Sequence, residues 1–428
     1  MTRMKDSGIE WIGEVPEEWG IKPIKHIFGA IGSGTTPDSS KVEYYDGNIN
    51  WLQSGDLYKK DYVYAVSKTI TDLGYRSSAS LRIYQAPFLA IAMYGASIGN
   101  LAISKIDACV NQAVAVLKGE ENIVRFAKLA LEISKTELIF AAQGGTQPNI
   151  NQVLIKNWVI PFPSEIEIKK IADFLDKKVA QLDKVKSLLE EQIKTLEDYR
   201  QSLIYETVTK GRDKTVPLKD SGVDWMGQIP EGWGVKSIKH IFDVIGSGTT
   251  PDSSKTEYYD GDINWLQSGD LYKTDYVDSV SKTITELGYL SSASLKIYEA
   301  PFLAIAMYGA SIGNLAISKI DACVNQAVVV LKGKEDTVRF VKFGLEISKS
   351  ELIFAAQGGT QPNINQVLIK NWLIPFPGEI EIREIADFLD KKTEQINQMI
   401  AIKKEQIENI NKQRQTLIYD YVTGKRRL

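Results

Sequence analysis

Four polar segments carry the side chains best suited to reading another molecule, and each occurs twice. Gly144–Gln152 (GGTQPNINQ) and Gly358–Gln366 are uncharged and amide-rich. Asn and Gln can bond the N6/N7 edge of adenine bidentately, and glycine lets backbone approach a phosphate. Thr146, Gln147, Asn149, Thr360, Gln361 and Asn363 are the candidates there, and an Asn-capped turn fits the same residues. Ile31–Pro37 (IGSGTTP) and Ile245–Pro251 offer the hydroxyls of Ser33, Thr35, Thr36, Ser247, Thr249 and Thr250 to phosphate or bases. They lack the GK[ST] ending of a phosphate-binding nucleotide loop, so a plain connection fits as well. Ile49–Lys59 (INWLQSGDLYK) and Ile263–Lys273 combine Trp, Gln, Tyr and Lys, an aromatic and basic interleaving that suits nucleic acid. Gln53, Lys59, Gln267 and Lys273 are the candidates; Trp51 reads as core. Met93–Asn100 and Met307–Asn314 set Tyr94, Ser97, Tyr308 and Ser311 between glycines, in a recognition loop or an ordinary strand-turn-strand.

Nothing in the chain assembles a catalytic set. There is no GxSxG, HExxH or Walker A motif, and no NPPY- or DPPY-type tetrapeptide. Two cysteines and two histidines make a His/Cys zinc site improbable, so no metal site is expected. Cys109 and Cys323 lie in apolar runs and read as buried and inert. His26 and His240 have no catalytic partner by spacing.

The elements that must position these loops come from one unit written twice. Residues 6–180 return as 220–394 at a shift of 214, with 33 differences in 175 positions. Solenoid repeats run to about 20–50 residues, so this is a tandem of whole domains. From Gln181 to Val208 against Gln395 to Val422, only 10 of 28 positions match. Partners that pack against each other gain from diverging, whereas domains doing the same job can stay alike. The 428 residues, 43% hydrophobic and 25% charged, exclude a disordered or disulfide-built chain. Two cysteines suggest a reduced compartment, and the start MTRMKDSGIEW lacks a signal-peptide core, so a cytoplasmic location is expected. No apolar run reaches the ~18 residues of a membrane span. A net charge of -3 counsels against assuming a nucleic-acid binder but can hide a basic face.

Within one unit, WLQSGDL, RIYQAPFLAIAMYG and NLAISKIDACVNQAVAVLKG predict strands, and residues 122–140 predict a helix. From about Glu165 to Val208 there is no Gly or Pro. Ile171, Leu175, Leu182, Val185, Leu189, Leu196 and Leu203 form a heptad-like stripe, matched by Ile385, Leu389, Ile396, Met399, Ile410 and Leu417. TKGR and TGKR supply helix-ending residues. Each helix could lie on its own globular domain; pairing of the two helices is preferred. The expected fold class is α+β: a duplicated mixed α/β domain plus long helix, the helices pairing as an antiparallel coiled coil with pseudo-two-fold symmetry. The predicted boundaries are 1–163 and 212–377 for the globular domains, and 164–211 and 378–428 for the helices with the C-terminal tail.

This pattern resembles the specificity subunit (HsdS) of type I restriction-modification systems. The resemblance rests on DSGIEWIGEVPEEWG and DSGVDWMGQIPEGWG, on NWVIPFPSEIEIKKIADFLDKKVAQLD and NWLIPFPGEIEIREIADFLDKK, and on LIYETVTKG. It covers nearly the whole chain. It implies two target recognition domains, each binding half of a bipartite double-stranded DNA site, with paired helices as ruler and dock. It also implies a non-catalytic chain without its own cofactor. Modification (HsdM) subunits would carry S-adenosylmethionine, restriction (HsdR) subunits would use ATP and Mg, and no membrane is involved. Recognition domains in this family usually differ between halves; here they are nearly identical, which predicts an inverted-repeat target. Arg76 against Leu290, or Lys60 against Thr274, could blur that symmetry. Two other readings remain: a coiled-coil protein scaffold without DNA binding, and a self-contained DNA-modifying enzyme.

Overall fold

Apolar runs between Gly and Pro breakers build the same two sheets in each repeat. The computed structural model describes residues 3–142, 148–356 and 363–428. In the first repeat a five-stranded sheet runs Ala30–Ser33, Val114–Lys118, Phe88–Ala92, Leu101–Ser104 and Tyr62–Val63. Its pairs are antiparallel except the last, which is parallel. The run FLAIA is buried on both faces. Leu89 and Ile91 point into a core shared with the helix Glu121–Ile133, while Phe88, Ala90 and Ala92 join a second cluster with Leu52 and Val110, as the period of two requires. A three-stranded sheet, Cys109–Val110, Tyr45–Leu52 and Thr69–Ile70, stands beside it. The second repeat matches it strand for strand.

Three expected elements come out shorter. The strand in WLQSGDL stops at Leu52, and Ser54–Leu57 is a 3-10 turn. Buried Asp56 accepts the backbone N–H of Gln53 (2.8 Å) and of Ser67 (3.0 Å), diverting these groups from a ladder. RIYQ contributes only a bridge between Tyr84 and Ala108. The helix over 122–140 breaks into Glu121–Ile133 and Lys135–Ala141. At the break, buried Ser134 donates to the Ala130 carbonyl (2.9 Å) and accepts from Trp158 Nε1 (3.0 Å). Ser348 repeats this with Gly344 and Trp372.

Cys109 and Cys323 are fully buried, and burial pushes their thiols up to about 12 and about 11. Because the thiolate is the nucleophile, neither should react with iodoacetamide at neutral pH until the chain unfolds. Labelling of the native protein, read by intact mass, would contradict this burial.

The long helices span Glu165–Lys210 and Glu379–Val422, about 69 and 66 Å at 1.5 Å per residue. Gly211 and Gly424, in the left-handed region at φ +70° and +75°, follow their ends. The compact units do not follow the sequence repeats. One comprises Met1–Leu189 with Glu405–Leu428, the other Glu190–Lys404.

In the first unit, Ile168, Ile171 and Leu175 from the start of the first helix share a core with Ile418 and Val422 from the end of the second. The segments run antiparallel: the Phe174 ring lies 4.7 Å from Tyr421, and Arg414 Nε 3.3 Å from Asp183 Oδ1. In the second unit, Ile382, Ile385 and Leu389 meet Ile204 and Val208. There the Arg212 guanidinium sits 4.9 Å over Phe388, and Lys403 Nζ donates to Gln192 Oε1 at 2.6 Å. Each helix therefore starts on its own globular domain and ends in the core of the other repeat's. Both expected modes of burial occur, at different points along one helix. The middle of the stripe is thinner: Val185 and Met399 stay 47% and 43% exposed.

A charged cluster fastens each foreign helix end. In the first unit, buried Lys128 pairs with Asp61 and with Glu132 (3.0 Å), and Arg414 pairs with Glu132 and Asp183. Burial works against the charged Lys128, but Glu132 and Asp61 more than offset it and hold its pKa above the ordinary value. The second unit repeats this with Lys342, Asp275, Glu346 and Arg200. Arg200 and Arg414 are equivalent positions, retained inside the diverged helical segment.

Candidate nucleic-acid interface

Strand register gathers the polar loops at one edge of the five-stranded sheet. Ser33 lies opposite Ala115, and Ala92 opposite Val114. The chain therefore leaves the strands Ala30–Ser33 and Phe88–Ala92 beside the point where Val114–Lys118 begins. The described end of Gly144–Gln152 is drawn in by side-chain and backbone bonds. Gln152 Nε2 donates to Ser33 Oγ at 2.7 Å, and Ile150 N–H to the Met93 carbonyl at 2.8 Å. Asn151 caps the helix Gln152–Asn157 by accepting from Leu154 N–H (2.9 Å). The fourth arrives through the second sheet, where Leu52 pairs with Val110 and accepts from Asn111 N–H. The 3-10 turn Ser54–Leu57 then packs against its counterpart Gly95–Ser97.

The first loop is held by a close backbone approach. A Cβ on Gly34 would lie 1.8 Å from the Val110 carbonyl oxygen, and one on Gly248 would lie 1.8 Å from that of Val324. Only glycine fits there. Trp51 Nε1 donates to the Thr35 carbonyl (3.3 Å), and Thr36 Oγ1 donates to Gln112 Oε1 (2.5 Å). The second repeat reproduces these bonds with Trp265, Thr249, Thr250 and Gln326, and the Ser33 bond with Gln366 and Ser247.

The expected residues fall into distinct surroundings. Thr36, Asn149, Lys59 and their copies Thr250, Asn363 and Lys273 are exposed. Ser33, Thr35, Gln53 and Ser97 are half-buried, as are Ser247, Thr249, Gln267 and Ser311. Tyr94 and Tyr308 rest partly on the core, and Trp51 is core as expected. Thr146, Gln147, Thr360 and Gln361 lie outside the described residues. Lys59 and Lys273 occupy the left-handed region (φ +53° and +55°), uncommon for a residue with a Cβ. Each ammonium lies over its preceding tyrosine, 5.2 Å from the Tyr58 centroid and 5.0 Å from that of Tyr272. These exposed aromatic–cation tips could stack on a base or meet a phosphate.

Sequence reading missed Gln112 and Gln326, and counted Tyr58 and Tyr272 in the aromatic and basic pattern without singling them out. Gln112 hides in a run that reads as strand; Tyr58 was visible as the neighbour of Lys59. Among the described residues no group of three His, Cys, Asp or Glu could hold a metal ion. No helix among them is long and apolar enough to cross a membrane.

Comparison with known proteins adds an independent line. The family model for the type I restriction modification DNA specificity domain matches residues 16–197 and 230–410. The type I restriction enzyme MjaIX specificity subunit of Methanocaldococcus jannaschii is 26% identical over 409 residues, covering 92% of each chain. The putative type I restriction enzyme MjaX specificity subunit of the same organism is 24% identical, covering 97% of this chain and 96% of that one. One solved chain, from work described as the structural basis underlying complex assembly and conformational transition of the type I R-M system, superposes with a TM-score of 0.73. It is 16% identical and covers 95% of this chain and 98% of that one. The HsdS subunit from Thermoanaerobacter tengcongensis gives 0.53 at 16% identity, covering 96% and 98%.

Proposed function

Because this chain belongs to the family of type I restriction-modification DNA specificity domains, we propose that it supplies the sequence specificity of such a complex, each repeat reading half of a bipartite, gapped DNA site. The observation that carries this reading is the convergence on one sheet edge of three polar loops and the described end of a fourth, Pro148–Gln152, with the same hydrogen bonds in both repeats. Residues 1–163 and 212–377 serve as recognition domains, and 164–211 and 378–428 as spacer helices that set the gap and dock modification subunits. Catalysis belongs to partners: HsdM with S-adenosylmethionine, and HsdR with ATP and Mg. The complex works where the DNA is, in the cytoplasm.

Between residues 6–180 and 220–394, none of the 33 differing positions falls inside the four polar loops. Two identical readers facing opposite strands read the same bases in inverted orientation. The target is therefore an inverted repeat: one half-site, a nonspecific gap and its reverse complement. Beside the loops, Lys60 gives way to Thr274, whose hydroxyl is turned to the Tyr276 carbonyl at 2.5 Å.

Adenine methylation mapping tests this. The chain is co-expressed with the modification subunit encoded beside it, in a host without other adenine methylation. A gapped inverted repeat methylated on both strands is expected. A gapped asymmetric motif would keep the function and overturn the symmetry; no methylation by a soluble complex would favour the scaffold reading.

A further inference from the structure

Beside the recognition edge each repeat has a groove whose charges divide into a neutralised floor and a free rim. In the first repeat it is lined by Lys59, Lys60, Asp61, Asn100, Lys128, Glu132 and Lys135, with Gly99 at its wall. On the floor, Lys128 is consumed by Asp61 and Glu132, and Arg414 claims the rest of Glu132. Lys59, Lys60 and Lys135 make no ion pair among the described residues. Lys135 is the most confined of the three. Its Nζ donates to Asn100 Oδ1 at 3.0 Å, and its stem lies against Gly99, where a Cβ would sit 2.9 Å from Lys135 Cε. Burial pulls its pKa down, which the Glu132 carboxylate only partly offsets. The groove recurs in the second repeat with Lys273, Asp275, Asn314, Glu346 and Lys349, and Lys404 joins the rim. Lys349 Nζ donates to Asn314 Oδ1 at 2.8 Å. Again the floor is paired, through Arg200 and Lys342, and Lys273, Lys349 and Lys404 make no ion pair among the described residues.

A half-buried ammonium ion held by one neutral amide and in no ion pair is incompletely satisfied as it stands. A phosphate oxygen would complete it. The asparagine fixes its position, and Lys59 or Lys273 adds a second cation next to it. The chain carries a net charge of -3, so any attraction to phosphate must come from local groups such as these rims. Resting on the DNA-reading function above, we infer that Lys135 and Lys349 are DNA-backbone phosphate seats. Each grips one phosphate beside the loops that read bases, and contributes affinity and register without sequence information. Asn100 and Asn314 are positioning residues for these ammonium groups.

The test uses the full chain, purified with its co-expressed modification subunit, and a random-sequence duplex probe. Lys135→Gln with Lys349→Gln removes both charges, while the amide can still donate to Asn100 and Asn314. Each phosphate contact contributes about 0.9 to the slope of log K against log salt, so the double variant should be shallower by about 1.8. A fourfold rise in salt would then cost the variant about tenfold less affinity than it costs the unchanged complex. The methylated motif should stay the same, and Lys135→Arg with Lys349→Arg should restore the slope. An unchanged slope, or an altered motif, would overturn the phosphate seats while leaving the DNA-reading function standing. If the unchanged complex binds no duplex at all, that function fails and the seats fail with it.

Discussion

Gly34→Ala and Gly248→Ala are expected to disrupt reading by the repeat that carries them. The added Cβ would sit 1.8 Å from a backbone carbonyl oxygen, of Val110 or Val324. No side-chain rotation relieves that contact; one backbone segment must move. Overpacking of this kind costs about 1–3 kcal/mol, and more when backbone is the obstacle. The loop carrying Ser33, Thr35 and Thr36 is the freer partner, so it shifts. The shift breaks the bonds from Gln152 to Ser33 and from Thr36 to Gln112. Losing correct readout at a base pair costs about 1–3 kcal/mol, so methylation at the target should fall about fivefold or more. Methylation sequencing and a thermal melt of each variant decide this. Gly29→Ala is the control, since nothing lies within 4 Å of that position and the second repeat carries Asp243 there. Full methylation with Gly34→Ala would show that the loop does not read DNA.

Arg414→Ala should weaken the first unit and leave the second unchanged, and Arg200→Ala should do the converse. Arg414 is 16% exposed and Glu132 24%. Removing the guanidinium leaves Glu132 with Lys128 alone and Asp183 without its partner. Breaking a fully buried pair costs about 3–5 kcal/mol; with partners this exposed, about 2–3 kcal/mol is expected. Amide exchange should accelerate through Glu121–Ile133 in Arg414→Ala and through Glu335–Ile347 in Arg200→Ala. If each variant instead loosened the globular domain of its own repeat, the assignment of helix ends to units would be wrong.

Burial also sets the sign of the response of Asp183 to acid. Asp183 has its pKa raised by burial, against the pull of Arg414. A carboxyl with a raised folded pKa binds its proton more readily in the folded state. As pH falls through that pKa, protonation of Asp183 therefore adds to stability, the net of its burial and its pair with Arg414. Asn397 stands at the equivalent position of the second unit and cannot titrate.

Much of this protein is written locally. The 214-residue repeat, the two long helices, their glycine stops and the four polar loops are all visible in the sequence, because periodicity, capping and turn chemistry act over a few residues. The breaks at Ser134 and at Ser54–Leu57 were not visible. Each depends on a side chain reaching a partner: Trp158 for Ser134, Ser67 for Asp56. The convergence of the loops likewise needed strand register, since Ser33 and Gln152 are 119 residues apart.

The destination of the helix ends lay furthest from the sequence. The matched positions at Arg200, Leu203, Ile204, Tyr205 and Val208 mark a segment that both copies keep, but two nearly identical globular domains offer it the same apolar pocket and the same acids. Only the tertiary structure decides between them, and the reason is mechanical. A helix of 46 residues whose first turns are buried in one domain cannot bend its last turns back to that domain, so they complete the core of the other.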